Sequence, residues 1–314
     1  MTTETRPASQ APQSPQVPRN HPLDFVRLMR PHQWVKNGLV LIGLFFGHAW
    51  SDVTLVTAVL LTATAFCLAS SGVYIVNDLF DRASDRLHPV KSRRPLAAGL
   101  VSVPAAVALA VLLGFSAIGL ALLASPAAAW IILGYWVLNA AYSTWLKHVV
   151  LLDVFAIAAG FMLRIFAGTL GVGIAPSEWL VLCGLMLTLF LGFTKRRAEI
   201  LALDQGEGER STGHHRRVLA HYTPALLDKM IGITAAAVIM SFSLYTMSPA
   251  TIALHGTPNL IYTVPFVLYG VFRYIYLLHG QRAGEDTASD LFRDRHLLVT
   301  VAAWFGVTLW MIAG

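Results

Sequence analysis

The chain has 314 residues, 56% of them hydrophobic and only 13% charged. A soluble domain carries about a quarter charged residues, so this composition argues against a water-soluble globule. The net charge of +6 does not point to nucleic acid, because the basic side chains gather in short segments between long apolar runs.

The opening stretch, MTTETRPASQAPQSPQVPRN, is rich in Pro, Gln, Ser and Thr and lacks the apolar core of a signal peptide. Residues 1–22 are expected to be a disordered tail and residues 23–314 one membrane domain. Trp34–Trp50 is a short apolar run. Thr54–Val76 is 23 residues without a charge. At ~1.5 Å rise per residue, such a helix crosses a hydrocarbon core of about 30 Å. Further runs cover Ser102–Ala124, Ala127–Leu146, Val149–Gly171, Trp179–Thr194, Pro224–Met247, Asn259–His279 and Leu297–Ala313. The expectation is an all-α bundle of nine transmembrane helices. Cys67 and Cys183 both fall inside apolar runs and read as small core residues.

With a cytosolic N-terminus, the outer loops are 49–53, 125–126, 171–178 and 248–258, which contain no Lys or Arg. Their only acids are Asp52 and Glu178. The basic loops all fall on the other side, so the positive-inside rule predicts a multi-pass protein of the cell membrane with its chemistry facing the cytosol. The second, fourth, sixth and eighth runs each end there on a charged segment.

The densest segment is NDLFDRASDRLHPVKSRRP, Asn77 to Pro95. If the second helix continues past Val76, the spacing of Asp78, Asp81 and Asp85 stacks them on one face, with Asn77 one row over. Oxygen ligands on one helix suit Mg²⁺, which takes the rest of its shell from water and substrate phosphates. Lys91, Arg93 and Arg94 supply cationic donors to the same phosphates. The plain alternative is a solvated helix end whose acids pair with Arg82 and Arg86. Carboxylates abutting a membrane span favour metal–phosphate binding over that alternative.

This stretch resembles the NDxxDxxxD…KxxRP signature of the UbiA superfamily of intramembrane prenyltransferases. RPHQWVKN (Arg30–Asn37), LKHVVLLDVFAIAAGFMLRIFAG (Leu146–Gly168) and TKRRAEI (Thr194–Ile200) extend the likeness. Within the superfamily, these runs resemble the decaprenyl-phosphate phosphoribosyltransferases, from about Arg30 to Arg295. The resemblance implies a nine-helix bundle with a central cavity. It also implies transfer of a phosphoribosyl group from phosphoribosyl diphosphate (PRPP) to a polyprenyl phosphate, an early step toward cell-envelope arabinose donors. It marks Lys36 and Asn37 as substrate-facing and matches Tyr142 and Lys147 to a YxxxxK-type loop, where they are candidate ligands for a phosphate or the ribose, with an interfacial Tyr and a snorkelling Lys as the alternative.

In aromatic prenyltransferases of the superfamily, the sixth span ends on a second aspartate-rich motif. Here it ends on Lys195, Arg196 and Arg197, with Glu199 the one carboxylate. Such a segment holds a bare phosphate better than a second metal. PRPP offers a diphosphate to chelate and a separate 5-phosphate to grip. Arg164 lies well inside the fifth span, where an unpaired Arg is costly. Asp153 stands eleven residues earlier, nearly in phase, with Gly160 between them and Gly168 beyond. This face is read as lining the cavity, with a structural Asp–Arg pair or an interhelix pair as the alternative. Trp34 reads as an interfacial anchor, and His214 and His215 as solvated.

The mechanism expected is attack by a lipid-phosphate oxygen on the anomeric carbon, with Mg²⁺ on the departing diphosphate. Two rival readings are an aromatic prenyltransferase using a prenyl diphosphate and a lipid-phosphate carrier or flippase. The first lacks its second aspartate motif, and the second lacks polar groups toward the outer face. A homo-oligomer is compatible with the sequence.

Overall fold

The structure is a computed structural model that describes residues 20–88, 90–204, 217–280 and 293–313. Its regular elements are all helical: α1 (Pro22–Met29), α2 (Ile42–Phe46), α3 (Val53–Phe80), α4 (Arg82–Leu87), α5 (Val103–Ala124) and α6 (Pro126–Thr144). They continue with α7 (Leu152–Ala167), α8 (Glu178–Asp204), α9 (Pro224–Met247), α10 (Pro249–His255), α11 (Val264–His279) and α12 (Arg295–Ala313). Local chemistry sets several of the starts. Ser102, Ser125 and Thr223 each accept a backbone N–H of the helix that follows, and each of those helices has Pro in its first turn. Asp52 caps α3 by accepting from the Thr54 and Leu55 amides.

Seven helical segments among the described residues are long and apolar enough to cross a membrane, against the nine expected. The run Ala127–Leu146 does form one helix, α6, but Trp130, Tyr135, Trp136, Asn139 and Tyr142 dilute its apolar character. The run Trp34–Trp50 is no continuous helix. Pro31–Leu41 is wound as a 3-10 helix and only Ile42–Phe46 is α-helical. The expected tail falls on residues 1–19, outside the described residues, and on Asn20 to Pro22. Asn20 is already tied to the bundle, donating to the Leu100 carbonyl and accepting from the Ser102 amide, both at 3.0 Å. His214 and His215 also lie outside the described residues.

α3 packs along α5, α8 along α9, and α7 bridges the two halves through α6 and α8. The segment Leu152–Val172 is accordingly the most buried of the seven, at 61%, against 17% for α12. Ala65 and Ala69 of α3 and Ala106, Ala117 and Ala121 of α5 are fully buried, and small side chains let helix backbones approach where lipid supplies no hydrophobic drive. Phe115, Leu123, Trp130 and Trp310 point outward and are more than 70% exposed, as lipid-facing side chains are.

Gly168, read from the sequence as cavity-lining, instead admits the first segment. A Cβ there would stand 1.7 Å from the Val40 carbonyl oxygen, and one on Gly43 would stand 2.2 Å from the Gly168 oxygen. Gly168→Ala therefore forces two backbones apart. It is expected to cost about 2 kcal/mol or more, the scale of overpacking, and to lower the melting temperature in detergent. An unchanged melting temperature would mean the contact is slack.

Candidate active site

α3 continues past Val76 to Phe80, as the aspartate spacing requires, and α4 follows with Asp81 at the joint. Asp78 and Asp85 are almost fully buried, at 2% and 3% exposure, whereas Asp81 is exposed. Burying carboxylates demands a cation. Arg94 supplies it, with Nη1 3.1 Å from Asp78 Oδ1 and 2.6 Å from Asp85 Oδ2. Arg30 supplies a second guanidinium, donating from Nη2 to Asp78 Oδ1 at 2.5 Å and lying over the Tyr74 ring. Sequence reasoning missed Arg30, although it opens the RPHQWVKN run. A left-handed backbone at Arg30 (φ 54°) ends α1 there.

Arg82 and Arg86 are not the partners of the acids. They donate to the backbone carbonyls of Leu96 and Ala97, at 3.3 and 3.2 Å, and so fasten the loop that carries Arg94. His88 shapes the same loop: its Nδ1 accepts the amides of Val90 and Lys91. Burial, then the neighbouring Lys91 cation, holds His88 below its ordinary pKa, which keeps that nitrogen an acceptor. Lys91 itself is exposed.

The second charged segment lies on α8. Arg196 is wholly buried, with Nε 3.0 Å from Asp153 Oδ2, an ion pair whose angle is too poor for a hydrogen bond. Its Nη1 pairs with Glu199 and its Nη2 donates to the Tyr142 hydroxyl at 3.1 Å. Arg197 is taken by Asp228 at 2.6 Å and by the Leu278 carbonyl. Lys195 and Glu199 are half-buried.

The two segments meet through consecutive residues at the end of α6. Ser143 donates to Asn77 Oδ1 at 3.3 Å, while Tyr142 receives Arg196. Lys147 follows on the 3-10 turn Leu146–His148. Asn77, Asp78, Asp85, Arg94, Tyr142, Arg196 and Glu199 are thus linked by contacts at one end of the bundle.

Asp153 and Arg164 do not pair, although they share α7. Asp153 turns to Arg196. Arg164 donates to Asn37 Oδ1 (2.8 Å), the Gly160 carbonyl (2.7 Å) and the Tyr135 hydroxyl (3.1 Å). It has no carboxylate partner among the described residues; its charge rests instead against the rings of Tyr135, Phe161 and Phe66. Asn37 passes the contact on to Ser70 of α3. Lys36 donates to Gln33 at 2.5 Å. The Trp34 indole donates to Ser71 at 3.0 Å and fixes the first segment on α3.

Among the described residues no three His, Cys, Asp or Glu side chains converge as a ready-made metal centre. The donor chemistry still fits Mg²⁺: two buried carboxylates already share a cation, and Mg²⁺ needs only one or two carboxylates when phosphates complete its shell. A cavity of about 420 Å³ opens between the first segment and α8, α9, α11 and α12. Leu39, Phe46, Trp179, Phe242, Phe266 and Trp304 are among its walls.

Comparison with known proteins agrees with this architecture. Residues 38–294 match the model of the UbiA prenyltransferase family. A decaprenyl-phosphate phosphoribosyltransferase of Corynebacterium glutamicum is 35% identical over 297 residues, covering 92% of this chain and 86% of that protein. The protein of the same name from Mycobacterium tuberculosis is 32% identical over 293 residues, covering 92% and 94%. A UbiA homolog from Archaeoglobus fulgidus, solved bound to DMAPP and Mg²⁺, superposes with a TM-score of 0.67 at 18% identity, over 92% of this chain and 99% of that one. The helical bundle, the aspartates at the end of its second long run and a match over most of its length place this chain in the UbiA prenyltransferase family.

Proposed function

We propose that this protein transfers the 5-phosphoribosyl group of PRPP to a polyprenyl phosphate such as decaprenyl phosphate, releasing diphosphate, for cell-envelope precursor synthesis. The observation that carries the reading is the junction of an acidic and a basic segment through Tyr142 and Ser143. A donor with a diphosphate at one end and a lone phosphate at the other suits that pair. The relatives named decaprenyl-phosphate phosphoribosyltransferase support it. A prenyl diphosphate donor would leave the basic segment without a ligand, which disfavours an aromatic prenyltransferase.

Asp78, Asp81 and Asp85, with Asn77 beside them, would hold Mg²⁺. Bound there, the ion would neutralise the diphosphate and ease its departure. Lys91 and Arg94 draw charge off the leaving diphosphate. Lys195 grips the 5-phosphate, with Lys147 beside it. A lipid-phosphate oxygen attacks the anomeric carbon as the bond to the diphosphate oxygen breaks. The nucleophile is already an anion, so no general base is needed; positioning carries the rest. Displacement in one step inverts the anomeric centre. The apolar cavity is suited to part of the isoprenoid tail. Arg164, buried and turned to protein atoms, serves by fixing Asn37 and, through it, the first segment with Lys36.

The charge bias of the loops supports a nine-span arrangement with the site facing the cytosol. A cysteine at Thr257 is expected to be labelled only from outside, and one at exposed Ser84 only from the cytosolic side. Ser211, the other natural reporter of the cytosolic face, lies outside the described residues. Reversed labelling would overturn that placement.

The deciding assay supplies purified protein with Mg²⁺, PRPP and a long polyprenyl phosphate, and reads diphosphate release and a phosphoribosyl lipid. Prenyl diphosphate with 4-hydroxybenzoate should give no product. Prenylation of the aromatic acid, with PRPP untouched, would replace this reading with the aromatic prenyltransferase. Lipid movement without turnover would favour a carrier.

A further inference from the structure

Tyr222 belongs to none of the charged segments. It follows the 3-10 turn Arg217–His221, just before α9, and is 4% exposed. Its hydroxyl does two things at once: it donates to Asp153 Oδ1 and accepts the backbone N–H of Leu151, both at 2.7 Å. Leu151 has φ 67°, a left-handed backbone that a leucine adopts only when neighbours hold it. The strained residue sits at the start of α7, directly before the helix that presents Asp153. With Oδ1 held by Tyr222, Asp153 keeps Oδ2 on Arg196, and both members of that pair are completely buried. Arg196 spends its remaining nitrogens on Glu199 and Tyr142, the two half-buried groups at the junction of the charged segments.

A guanidinium so enclosed has no face left for a phosphate. What it can do is fix the two groups it touches. A carboxylate and a phenol side by side accept from and donate to adjacent hydroxyls, the pattern a pentose presents. We propose that Tyr222 is a positioning residue for the pentose donor: through Asp153 and Arg196 it sets the Glu199 carboxylate and the Tyr142 hydroxyl against the ribose hydroxyls. The proposal rests on the phosphoribosyl reading above. It assigns ribose recognition to Glu199 and Tyr142 and leaves the phosphates to the lysines and Arg94.

The test is steady-state kinetics of the full-length protein in detergent with Mg²⁺, varying PRPP and polyprenyl phosphate separately. Tyr222→Phe removes one hydroxyl and is expected to raise the KM for PRPP about fivefold to tenfold, the scale of one hydrogen bond's net contribution. The KM for the lipid should stay at its wild-type value, while the melting temperature falls modestly, because Asp153 Oδ1 and the Leu151 N–H each lose a buried partner. Combined with Glu199→Gln, the effects on kcat/KM for PRPP should be less than multiplicative, because both changes disable one contact. Equal rises in both KM values, or effects that multiply, would reduce Tyr222 to a packing residue. Should Tyr222→Phe fail to fold, Glu199→Gln alone decides the assignment: a raised KM for PRPP with an unaltered KM for the lipid supports it, and equal rises in both KM values overturn it. Wild-type protein that ignores PRPP sinks the phosphoribosyl reading. Wild-type turnover with an unaltered Tyr222→Phe sinks only the positioning role.

Discussion

Asp81→Asn is expected to abolish turnover while the bundle stays folded. Asp81 is exposed at the joint between α3 and α4, and its carboxylate makes no hydrogen bond or ion pair among the described residues. Its backbone continues the helical ladder, with its N–H on Asn77 and its carbonyl accepting from Asp85. Replacing the carboxylate with an amide of the same shape therefore subtracts one charge and no packing. A carboxylate exposed at the mouth of a site rich in arginine is free to take a metal or a metal-bound phosphate. Its loss should cost at least about a hundredfold in kcat, the scale of removing one preorganised electrostatic group. Thermal unfolding in detergent should match wild type. Asp78→Asn is a poorer test, because it also strips Arg30 and Arg94 of their shared anion. Near-normal turnover of Asp81→Asn with Mg²⁺ would mean that these carboxylates only solvate a helix end.

The parts of the molecule that one helix determines were legible in the sequence. A 23-residue run without charge forms a helix, and aspartates at helical spacing continue it to Phe80. Contacts between helices were not. Eleven-residue spacing put Asp153 and Arg164 nearly in phase, yet a carboxylate on α7 has a choice of neighbouring helices, and Asp153 found Arg196. Arg164 settled on neutral acceptors and aromatic rings, which a search for opposite charge does not anticipate. The four-residue spacing of Asp78 and Arg82 left a local pair as the plain alternative; the loop returning from Leu96 and Ala97 offers Arg82 and Arg86 backbone carbonyls instead. Arg30 reaches Asp78 across 48 residues of sequence, through a left-handed turn that no periodicity reveals. The 3-10 winding of Pro31–Leu41 likewise follows from packing, with Gly43 and Gly168 in backbone contact and Trp34 bonded to Ser71.

The neighbouring cations Lys195 and Arg196 are expected to fail in different ways when removed. Read along the chain they are one phosphate grip, but only Lys195 is part-exposed. Lys195→Ala should weaken PRPP binding more than polyprenyl-phosphate binding. A charge-assisted phosphate contact is worth roughly 1.5–3 kcal/mol, so a tenfold or larger rise in the apparent constant for PRPP is expected. Arg196→Ala instead leaves Asp153 fully buried without its cation, and breaking a buried pair costs about 3–5 kcal/mol. Against a total stability of about 5–15 kcal/mol, that is a large share of the margin, so the melting temperature and the yield of folded protein should both fall. Replacing both partners, Arg196→Met with Asp153→Leu, removes both charges and should restore extraction and the melting temperature, since apolar residues often substitute for a buried ion pair without loss. Turnover should stay lost in that double variant, because Glu199 and Tyr142 no longer have the guanidinium that fixes them. Recovery of activity together with stability would show that the buried pair serves folding alone. Wild-type melting of Arg196→Ala would show that Asp153 is not held as a charged group.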